Sequence, residues 1–344
     1  MNPIDVSIII VSYNDLDYIQ KCIRSIYDQN CNLNLEIIVI DNHPSKIVFN
    51  YIKKNHPEII NKFSPINLGY ANGNNLAIKL AKGEFIFIIN PDVILHSDCV
   101  QNLYSFCKIK KNSLCMPKIL LPGGKKINTI GNKLNFLGIS WCGNLFEEFK
   151  EEDFSYCPAS KILFPSGAAL FLRKKDFIDL GGFNELFFMY LEDTELALKA
   201  FVRNYNCYLI NNATVIHFYK YSKNSLKFYH YEKNRIIILL EFFSFKTLLL
   251  MVVPILFLEM GLLYYFINTK QLSFKLNSYR FIVRNFNKIY RFRKEIMKNR
   301  NLSDKELFQI LESEIIYQEL NFPLVTKVLN PLLKIFFKLA VSGI

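Results

Sequence analysis

The chain has 344 residues, of which 51% are hydrophobic and 21% charged, with 42 Lys and Arg against 30 Asp and Glu. These values exclude a disordered or collagen-like chain, and the length is sufficient for about two domains with hydrophobic cores. A net charge of +12 together with a mean hydropathy of +0.14 favours an anionic membrane surface over nucleic acid as a partner.

The eight cysteines are scattered, without a C-x-x-C pair or a Cys/His cluster of zinc-type spacing. This usage is typical of reduced thiols in a cytosolic compartment. The apolar run 8–11 near the N-terminus is short and follows no basic segment, so it is interpreted as a buried strand rather than a signal peptide. The sequence therefore predicts that the chain starts in the cytoplasm.

The first hundred residues alternate between strand and helix patterns. Strands are predicted at 6–12, 36–41, 62–65 and 85–90, and helices at 15–28, 46–54 and 72–82. This alternation predicts an α/β fold with right-handed crossovers and a doubly wound, mostly parallel sheet. Ligands of such sheets bind at the carboxyl ends of the strands.

The middle of the chain has a weaker pattern. Residues 110–160 are rich in Gly and Pro and are expected to be irregular. A strand at 167–173, a helix at 193–204 and a short strand at 207–211 are expected to follow.

Three of the predicted strands end in small polar or acidic residues. They are Ser12, Tyr13 and Asn14 after the first strand, Asp41 and Asn42 after the second, and Asn90 and Asp92 after the fourth. A bound nucleotide needs such groups: an acid for hydrogen bonds, an aromatic face for stacking and a carboxylate to hold a cation on the diphosphate. Polar residues end most strands for structural reasons, so each edge alone is weak evidence, and only the three together favour a nucleotide site.

Two longer motifs carry a resemblance to a known family. Residues 67–75 (NLGYANGNN) with 83–92 (GEFIFIINPD), and residues 181–196 (GGFNELFFMYLEDTEL), resemble family 2 glycosyltransferases. The resemblance covers about residues 5–235 and is strongest to the rhamnosyltransferase-like branch, which carries Asn-Pro-Asp where others have Asp-x-Asp. Ala77 and Asn184 depart from the family pattern, which leaves a closely related donor, a divergent acceptor or an inactive homologue open.

The resemblance implies a GT-A fold and metal-binding or catalytic roles for four residues. Asp92 is expected to hold a divalent metal, Mg²⁺ or Mn²⁺, with His217 as a second ligand. Asp193 is implied as the catalytic base, and the adjacent Glu192 as a support for the acceptor or its loop. From the residues alone, His217 could equally be a packed core histidine, and Asp193 could be the N-terminal cap of the helix that follows it.

The resemblance also implies a set of donor-binding residues: Ser12, Tyr13, Asn14, Asp41, Asn67, Gly69, Asn75 and Asn90. Tyr13 would stack on the base, Asp41 would hydrogen-bond it, and Asn90 would reach the ribose or a phosphate. Gly69 would allow a close backbone approach to the ligand. Simple packing of Tyr13 at a strand end and a plain turn at 67–69 are the structural alternatives.

The C-terminal third of the chain differs from the rest in its pattern of apolar and charged residues. Residues 247–267 carry Glu259 as their one charge, and Pro254 and Glu259 lie near their middle. The stretch could be a buried helix pair, a bilayer span or an in-plane or re-entrant membrane segment, of which the last is favoured. Residues 275–298 predict a basic amphipathic helix suited to anionic lipid, with a solvated charge face as the alternative.

The sequence thus predicts three regions: residues 1–110 for the nucleotide-sugar-binding half, 111–235 for the acceptor-binding half and 236–344 for a helical, membrane-associating region. The expected function is inverting, metal-dependent transfer of a sugar, from dTDP-rhamnose or a UDP-sugar, to a lipid-linked or cell-surface polysaccharide acceptor. The expected location is the cytoplasmic face of the cell membrane, in polysaccharide biosynthesis of the cell envelope.

Two alternatives to this function remain open from the sequence. A sugar nucleotidyltransferase would require a Gly-rich, basic loop after the first strand, whereas residues 12–17 are acidic and lack Gly. A non-catalytic membrane-bound scaffold or nucleic-acid binder would also account for the charge, although no nucleic-acid motif is present.

Overall fold

The computed structural model describes residues 3–219, 225–316 and 325–344. The chain forms two compact units. Unit 1 comprises residues 1–132, 142–200 and 205–221, and unit 2 comprises residues 133–141, 201–204 and 222–344. The long segment of unit 2 therefore begins at residue 222, upstream of the expected boundary at residue 235, and unit 2 also includes two short segments from the middle of the chain.

Twelve strands occur within the described residues. They are β1 (Val6–Ser12), β2 (Leu35–Asp41), β3 (Ile60–Phe63), β4 (Phe85–Ile89), β5 (Val93–Leu95), β6 (Ser113–Leu120), β7 (Ile127–Thr129), β8 (Asn132–Leu134), β9 (Ser140–Cys142), β10 (Ala159–Ile162), β11 (Ala169–Arg173) and β12 (Asn206–His217). The strands β8 and β9 pair with each other, and the other ten form the sheet of unit 1.

The sheet of unit 1 is mostly parallel, as the sequence predicts. Its main path runs β10-β12-β6-β11-β4-β1-β2-β3, with β5 paired to β12 and β7 paired to β6. Six of these eight strands run in one direction, and only β10 and β11 run in the other. The apolar runs of β1 and β4 are buried on both faces, which is the burial expected of strands covered by helices on each side.

Helices cover the sheet of unit 1. They are α1 (Leu16–Tyr27), α2 (Ile47–Asn55), α3 (Gly69–Leu80), α4 (Cys99–Ile109), α5 (Lys174–Asp179) and α6 (Glu192–Val202). In α1 the residues Ile19, Ile23 and Ile26 are buried, which confirms the helical spacing of apolar residues predicted there. The helix α3 begins three residues earlier than predicted, at Gly69.

Two expectations for the middle of unit 1 are wrong. Residues 110–160 contain the fully buried eight-residue strand β6, despite Pro117. A proline cannot donate to a strand ladder, and Pro117 lies opposite Ile210, where the pairing with β12 becomes irregular before Thr214. The strand β12 also continues to His217 instead of ending at residue 211.

Unit 2 is helical over most of its length. Its helices are α7 (Ser225–Phe242), α8 (Phe245–Leu250), α9 (Val252–Asn268), α10 (Leu272–Arg284), α11 (Phe286–Lys298), α12 (Asp304–Phe308) and α13 (Asn330–Gly343). Within the described ranges, no helix combines the length and apolar character needed to cross a membrane.

The two predicted segments of the C-terminal third are each divided in the structure. Residues 247–267 fall into α8 and α9, which meet at Met251, and residues 275–298 fall into α10 and α11, which meet at Asn285. The single amphipathic helix is therefore wrong. Val283 and Phe286, on either side of the break at Asn285, are 75% and 51% exposed.

Glu259, the one charge of the apolar stretch, belongs to a buried charge network in unit 2. Its carboxylate pairs with Arg235 and lies 2.6 Å from Lys275 Nζ, and Tyr279 donates a hydrogen bond to it. Glu232 pairs with the same two cations, at 3.0 Å from Arg235. Two acids and two bases thus neutralise each other inside the helical unit, which explains why a charge is tolerated there.

Candidate active site

The carboxyl ends of β1 and β2 lie side by side. Ser12 is the register partner of Asp41, and both side chains are completely buried. The two carboxylate oxygens of Asp41 accept hydrogen bonds of 2.9 Å from the backbone N–H groups of His43 and Phe49, which fixes the loop after β2. Ser12 Oγ and Asn42 Oδ1 are buried and have no hydrogen-bond partner among the described residues. Polar atoms in this state are the exception in folded proteins, and a bound ligand or water would satisfy them.

The loop after β1 presents an exposed aromatic ring and an acid. Tyr13 is 49% exposed, and its ring meets His43 edge to face at 4.7 Å. Asn14 adopts a positive φ of 64°, and the Tyr13 N–H donates to Asp15 at 2.8 Å. Burial raises the pKa of Asp15, and the negative charges of Asp92 and Asp41 raise it further. Carboxylates therefore crowd this edge of the sheet.

Asp92 and His217 are brought together by strand pairing. The Asn-Pro-Asp turn joins β4 to β5, and β5 runs antiparallel to the end of β12 with Val93 opposite His217. Asp92 Oδ1 consequently lies 3.2 Å from His217 Nε2, and the Asn90 amide nitrogen lies 3.4 Å from the same ring nitrogen.

A third residue orients the imidazole. His217 Nδ1 lies 2.8 Å from the side-chain oxygen Oδ1 of Asn128, within hydrogen-bonding distance, and this contact fixes the orientation of the ring. The other ring nitrogen, Nε2, faces Asp92. Metal-ligating histidines are held in this manner by a second residue.

The side chains of Asp92 and His217 are suitable ligands for a divalent cation. A carboxylate oxygen and an imidazole nitrogen on one side of a crowded acidic edge are suitable ligands for Mn²⁺ or Mg²⁺. In the described part of the chain, no group of three or more His, Cys, Asp or Glu is arranged to hold a metal ion. Asp92 and His217 would accordingly supply two ligands and leave the other positions open to oxygen atoms of a bound molecule.

The two sequence motifs pack against each other. Gly69 has a φ of 70°, and a Cβ there would lie 2.2 Å from the Phe188 carbonyl oxygen, which accepts a 2.7 Å hydrogen bond from the Tyr70 N–H. Asn75 is bonded through both amide atoms to the backbone of Phe183, at 2.8 and 3.1 Å. Asn67 Oδ1 accepts from the Gly69 N–H at 2.9 Å. In this structure, the contacts at Gly69 and Asn75 hold α3 against residues 183–188, and Asn67 fixes the loop that precedes α3.

Asp193 lies in the first turn of α6. Its Oδ2 accepts a 2.8 Å hydrogen bond from the Gly167 N–H, and its Oδ1 accepts one of 2.6 Å from the Thr194 N–H. Burial raises the pKa of the carboxyl, while these backbone hydrogen bonds lower it and only partly offset the burial. The side chain is nevertheless partly accessible. A fixed, accessible carboxylate with a raised pKa is suited to accept a proton. The cap interpretation is wrong, because α6 begins at Glu192, one residue before Asp193.

Tyr70 is a residue of this site that the sequence analysis did not identify. Its buried hydroxyl donates to the Gly167 carbonyl oxygen. Burial raises the pKa of Tyr70, and the negative charges of Glu192 and Asp193 raise it further, so both carboxylates lie near the phenol. Glu192 itself is buried, with 7% of its surface exposed.

Residues 167–168 connect the two halves of the site. The Asn90 N–H donates to the Ala168 carbonyl oxygen at 3.0 Å, and the neighbouring Gly167 N–H donates to Asp193. The turn that holds Asp92 and the helix that holds Asp193 are therefore bonded to adjacent residues that immediately precede β11.

Asp15, Asn128 and Gly167 also escaped the sequence analysis. Asp15 belongs to the acidic loop 12–17 noted in the sequence. Its closeness in space to Asp41 and Asp92 could not be predicted, because the three residues are far apart along the chain. Asn128 and Gly167 lay in or beside segments without a clear periodic pattern, so no local signal identified them.

Comparisons with known proteins agree on one family. The model of glycosyl transferase family 2 matches residues 7–181. The low-salt glycan biosynthesis hexosyltransferase Agl10 of Haloferax volcanii is 26% identical over 59% of this chain and 63% of its own length. The rhamnosyltransferase WbbL of Escherichia coli is 22% identical over 64% of this chain and 86% of its own length. The chain thus spans less than two thirds of the first of these relatives.

Two solved structures share the fold. GalNAc-T7, solved with UDP, GalNAc and Mn²⁺, aligns with 69% of this chain and 48% of its own at a TM-score of 0.56 and 13% identity. A 1–349 fragment of TarS from S. aureus aligns with 99% of this chain and 89% of its own at a TM-score of 0.51 and 15% identity.

Proposed function

Since the chain belongs to glycosyl transferase family 2, we propose that it is an inverting, metal-dependent hexosyltransferase. It transfers a sugar from a nucleotide diphosphate, dTDP-rhamnose or a UDP-sugar, to a glycan acceptor that is lipid-linked or part of a cell-surface polysaccharide. The hexosyltransferase and rhamnosyltransferase relatives support the reaction class, and the glycan biosynthesis in the name of the first supports a glycan acceptor.

The donor binds at the carboxyl ends of β1, β2 and β4 in this proposal. Exposed Tyr13 stacks on the base, and the unsatisfied Ser12 Oγ beside Asp41 is available to the nucleoside. Asn90, beside His217, is placed to reach the ribose or a phosphate. Among the other expected donor-binding residues, Asn67, Gly69 and Asn75 contribute indirectly, because they fix the geometry of the loop.

Asp92 and His217 hold the divalent cation, with Asn128 orienting the imidazole. The cation, when bound, supplies positive charge that neutralises the diphosphate as it leaves. The observed pair supports this role because His217 Nε2 lies 3.2 Å from a carboxylate oxygen of Asp92, and Asn128 holds the other ring nitrogen.

Asp193 is the general base. Its carboxylate takes the proton of the acceptor hydroxyl as the oxygen forms a bond to the anomeric carbon. The bond from that carbon to the donor phosphate oxygen breaks, and its electron pair leaves with the nucleoside diphosphate. A single displacement of this kind inverts the anomeric centre. Glu192 and Tyr70 lie near Asp193 and support it in this role without reacting themselves.

In this proposal the enzyme works at the cytoplasmic face of the membrane, which it contacts through the helical unit. Unit 2 contains 21 Lys and Arg against nine Asp and Glu and thus holds the whole excess of +12, whereas unit 1 has no net charge. The helix α9 also exposes an apolar row at helical spacing. The row consists of Val253, Leu256, Met260, Tyr264 and Ile267. Positive charge and an exposed apolar row together suit an anionic bilayer surface.

The observation that carries the catalytic proposal is that Asn90, two residues before Asp92, and Asp193 are hydrogen-bonded to the adjacent residues Ala168 and Gly167, which immediately precede β11. The test is a panel of nucleotide sugars with Mn²⁺ or Mg²⁺ and a glycan acceptor, with release of nucleoside diphosphate as the readout. Metal-dependent release with one donor is expected. Release of inorganic pyrophosphate would identify a nucleotidyltransferase, and no release with any donor would favour a non-catalytic protein.

A further inference from the structure

Unit 2 contains a pocket of about 300 Å³ between α7 and α10. Its lining consists of Leu226, Tyr229, Phe274, Asn277, Arg280, Phe281 and Arg284. The wall therefore combines three aromatic rings with two guanidinium groups and an amide. None of these lining residues is acidic.

The two arginines are available to a ligand. Arg280 and Arg284 lie one helical turn apart on α10, and both side chains are exposed. Within the described residues, neither has an ion pair or a hydrogen-bond partner. Behind the pocket wall, Lys233 Nζ lies 4.8 Å from the centre of the Phe281 ring and adds positive charge. Arginine forks with spare donors recognise phosphate oxygens in a bidentate manner.

Apolar side chains flank the arginines on the solvent face of α10. Leu276 precedes Arg280 by four residues and is 52% exposed, and Val283 follows it by three residues and is 75% exposed. Exposed aliphatic groups on the same helix face as arginines are typical of a surface that meets lipid head groups and the first acyl carbons together. A site for a freely soluble anion has no use for them.

From this arrangement we infer that the pocket binds the phosphate group of an anionic phospholipid. Arg280 and Arg284 hold the phosphate, Asn277 contributes a hydrogen bond, and Leu276 and Val283 enter the lipid surface beside it. The inference rests on the membrane association proposed above and adds a defined lipid site to it. The concentration of the whole excess of positive charge in unit 2 favours lipid as the occupant.

The experiment uses the full chain and three double variants. The first, R280Q/R284Q, removes both pocket charges, and the second, R280K/R284K, keeps the charge but loses the guanidinium fork. The third, K246Q/K298Q, removes two exposed charges of unit 2 that lie outside the pocket. Binding is measured with vesicles of phosphatidylcholine alone, with vesicles that contain phosphatidylglycerol, and with soluble dihexanoyl-phosphatidylglycerol. Inorganic phosphate is a separate probe, and donor hydrolysis monitors unit 1.

Saturable 1:1 binding of the short-chain phosphatidylglycerol is expected, weakened at least tenfold in R280Q/R284Q and several-fold in R280K/R284K. The K246Q/K298Q variant is expected to retain it. Equal binding of inorganic phosphate would make the pocket a simple anion site and overturn the lipid assignment.

The failure of this inference can be told apart from failure of the proposed function. Equal weakening of vesicle binding in R280Q/R284Q and K246Q/K298Q, without short-chain lipid binding, would leave membrane association intact and overturn the pocket. Absence of vesicle binding by the wild type would overturn both the pocket and the membrane part of the proposed function. Donor hydrolysis reports on the catalytic part in every case.

Discussion

At the scale of single residues, the candidate site depends on groups that are held in place by their neighbours. Asp193 is fixed by two backbone N–H groups, and His217 is fixed by Asn128. Such restraint lowers the entropy that must be lost when the reacting groups are aligned. The consequences can be tested one side chain at a time.

Replacing Asp193 with Asn is expected to lower acceptor-dependent turnover by about 10²-fold or more, because an amide cannot accept the acceptor proton. Donor affinity should be unchanged. The measurements are kcat at saturating donor and the donor Kd by calorimetry, with the exposed Asp153→Asn as the control of equal charge. Turnover close to wild type would move the base to Glu192 or elsewhere.

The same residue predicts the pH dependence of the wild type. Burial raises the pKa of Asp193 above its ordinary value of 3.8. The base is active when ionised, so turnover should fall as the pH is lowered through the raised pKa. This acidic limb should begin above 3.8 and should be absent from the residual activity of Asp193→Asn.

Replacing Asp92 with Ala is expected to abolish metal-dependent donor binding and transfer, because one of the two proposed protein ligands is lost. Asn128→Ala leaves both ligands in place but frees the imidazole, so metal affinity should fall by about 10–100-fold. Titration with Mn²⁺ in the presence of donor measures both effects. The exposed Asp17→Ala is the control, and a metal response retained by Asp92→Ala would contradict the assignment.

At the scale of elements, the two motif segments act as one structural unit. Residues 67–75 supply the start of α3, and residues 183–188 supply the carbonyl oxygens that receive it. The sequence analysis treated residues 67–75 as a donor loop. Their contacts assign them the further role of fixing the segment that leads into α6 and Asp193.

Substitutions at two glycines with nearly the same backbone conformation distinguish the cost of backbone strain from the cost of a steric clash. Gly69 and Gly124 have φ angles of 70° and 69°, but a Cβ would strike the Phe188 carbonyl oxygen only at Gly69 and meets no atom within 4 Å at Gly124. Gly124→Ala should therefore cost only the strain of its φ, about 1–2 kcal/mol. Gly69→Ala should lower the free energy of unfolding by a further 1–3 kcal/mol or so, because the two segments must move apart. Urea unfolding measures both, and equal losses would contradict the close contact.

The helices α7, α9 and α10 depend on the buried charge network. Burial of the Glu259 carboxyl opposes ionisation, but the charges of Arg235 and Lys275 outweigh it and lower its pKa to about 2. Glu259→Gln should lower the free energy of unfolding by about 3–5 kcal/mol, because two buried cations keep only Glu232 as a partner. Thermal unfolding measures the loss, and the exposed Glu295→Gln on α11 should be nearly neutral.

The pH dependence of this contribution follows from the same shift. The folded pKa lies below the ordinary 4.5, so the stabilisation is complete above 4.5 and is lost as the pH falls through about 2. The difference in stability between wild type and Glu259→Gln should shrink over that range. A constant difference would contradict the network.

At the scale of the whole molecule, charge is divided between the two units. A neutral unit carries the candidate active site, and a unit of +12 carries the exposed apolar row of α9. Non-specific attraction to an anionic surface and burial of apolar side chains then add, but salt screens only the first.

The full chain is expected to sediment with anionic vesicles and to be released only partly by 1 M salt. Removing apolar groups from the row with L256Q/M260Q should weaken binding at least about tenfold, since burial of each such side chain is worth roughly 1.5–3 kcal/mol. The control, I109Q/I178Q, alters two exposed apolar residues of unit 1 that are 80% and 58% exposed. Complete release by salt would show that the contact is purely electrostatic.

The sequence by itself determined the features that depend on local pattern. The apolar runs of β1, β2 and β4 and the helical spacing in α1 follow from residues that are neighbours along the chain. The polar residues at the strand ends, Ser12, Asp41 and Asp92, are visible for the same reason. The two motifs were sufficient to identify the family, which the family comparison confirms.

Only the tertiary structure decided which distant residues meet. His217 reaches Asp92 because β12 continues past residue 211 and pairs with β5, and its orienting partner Asn128 is 89 residues away. Pro117 lies in a buried strand because an irregular pairing with β12 accommodates it, and Glu259 is buried because Arg235 and Lys275 neutralise it. A local pattern records the periodicity and the end of an element, whereas the partner of a side chain is set by packing between segments that are far apart in sequence. For this reason the sequence predicted which functional groups stand at the end of each strand. It could not predict the geometry that brings those strand ends together into one site.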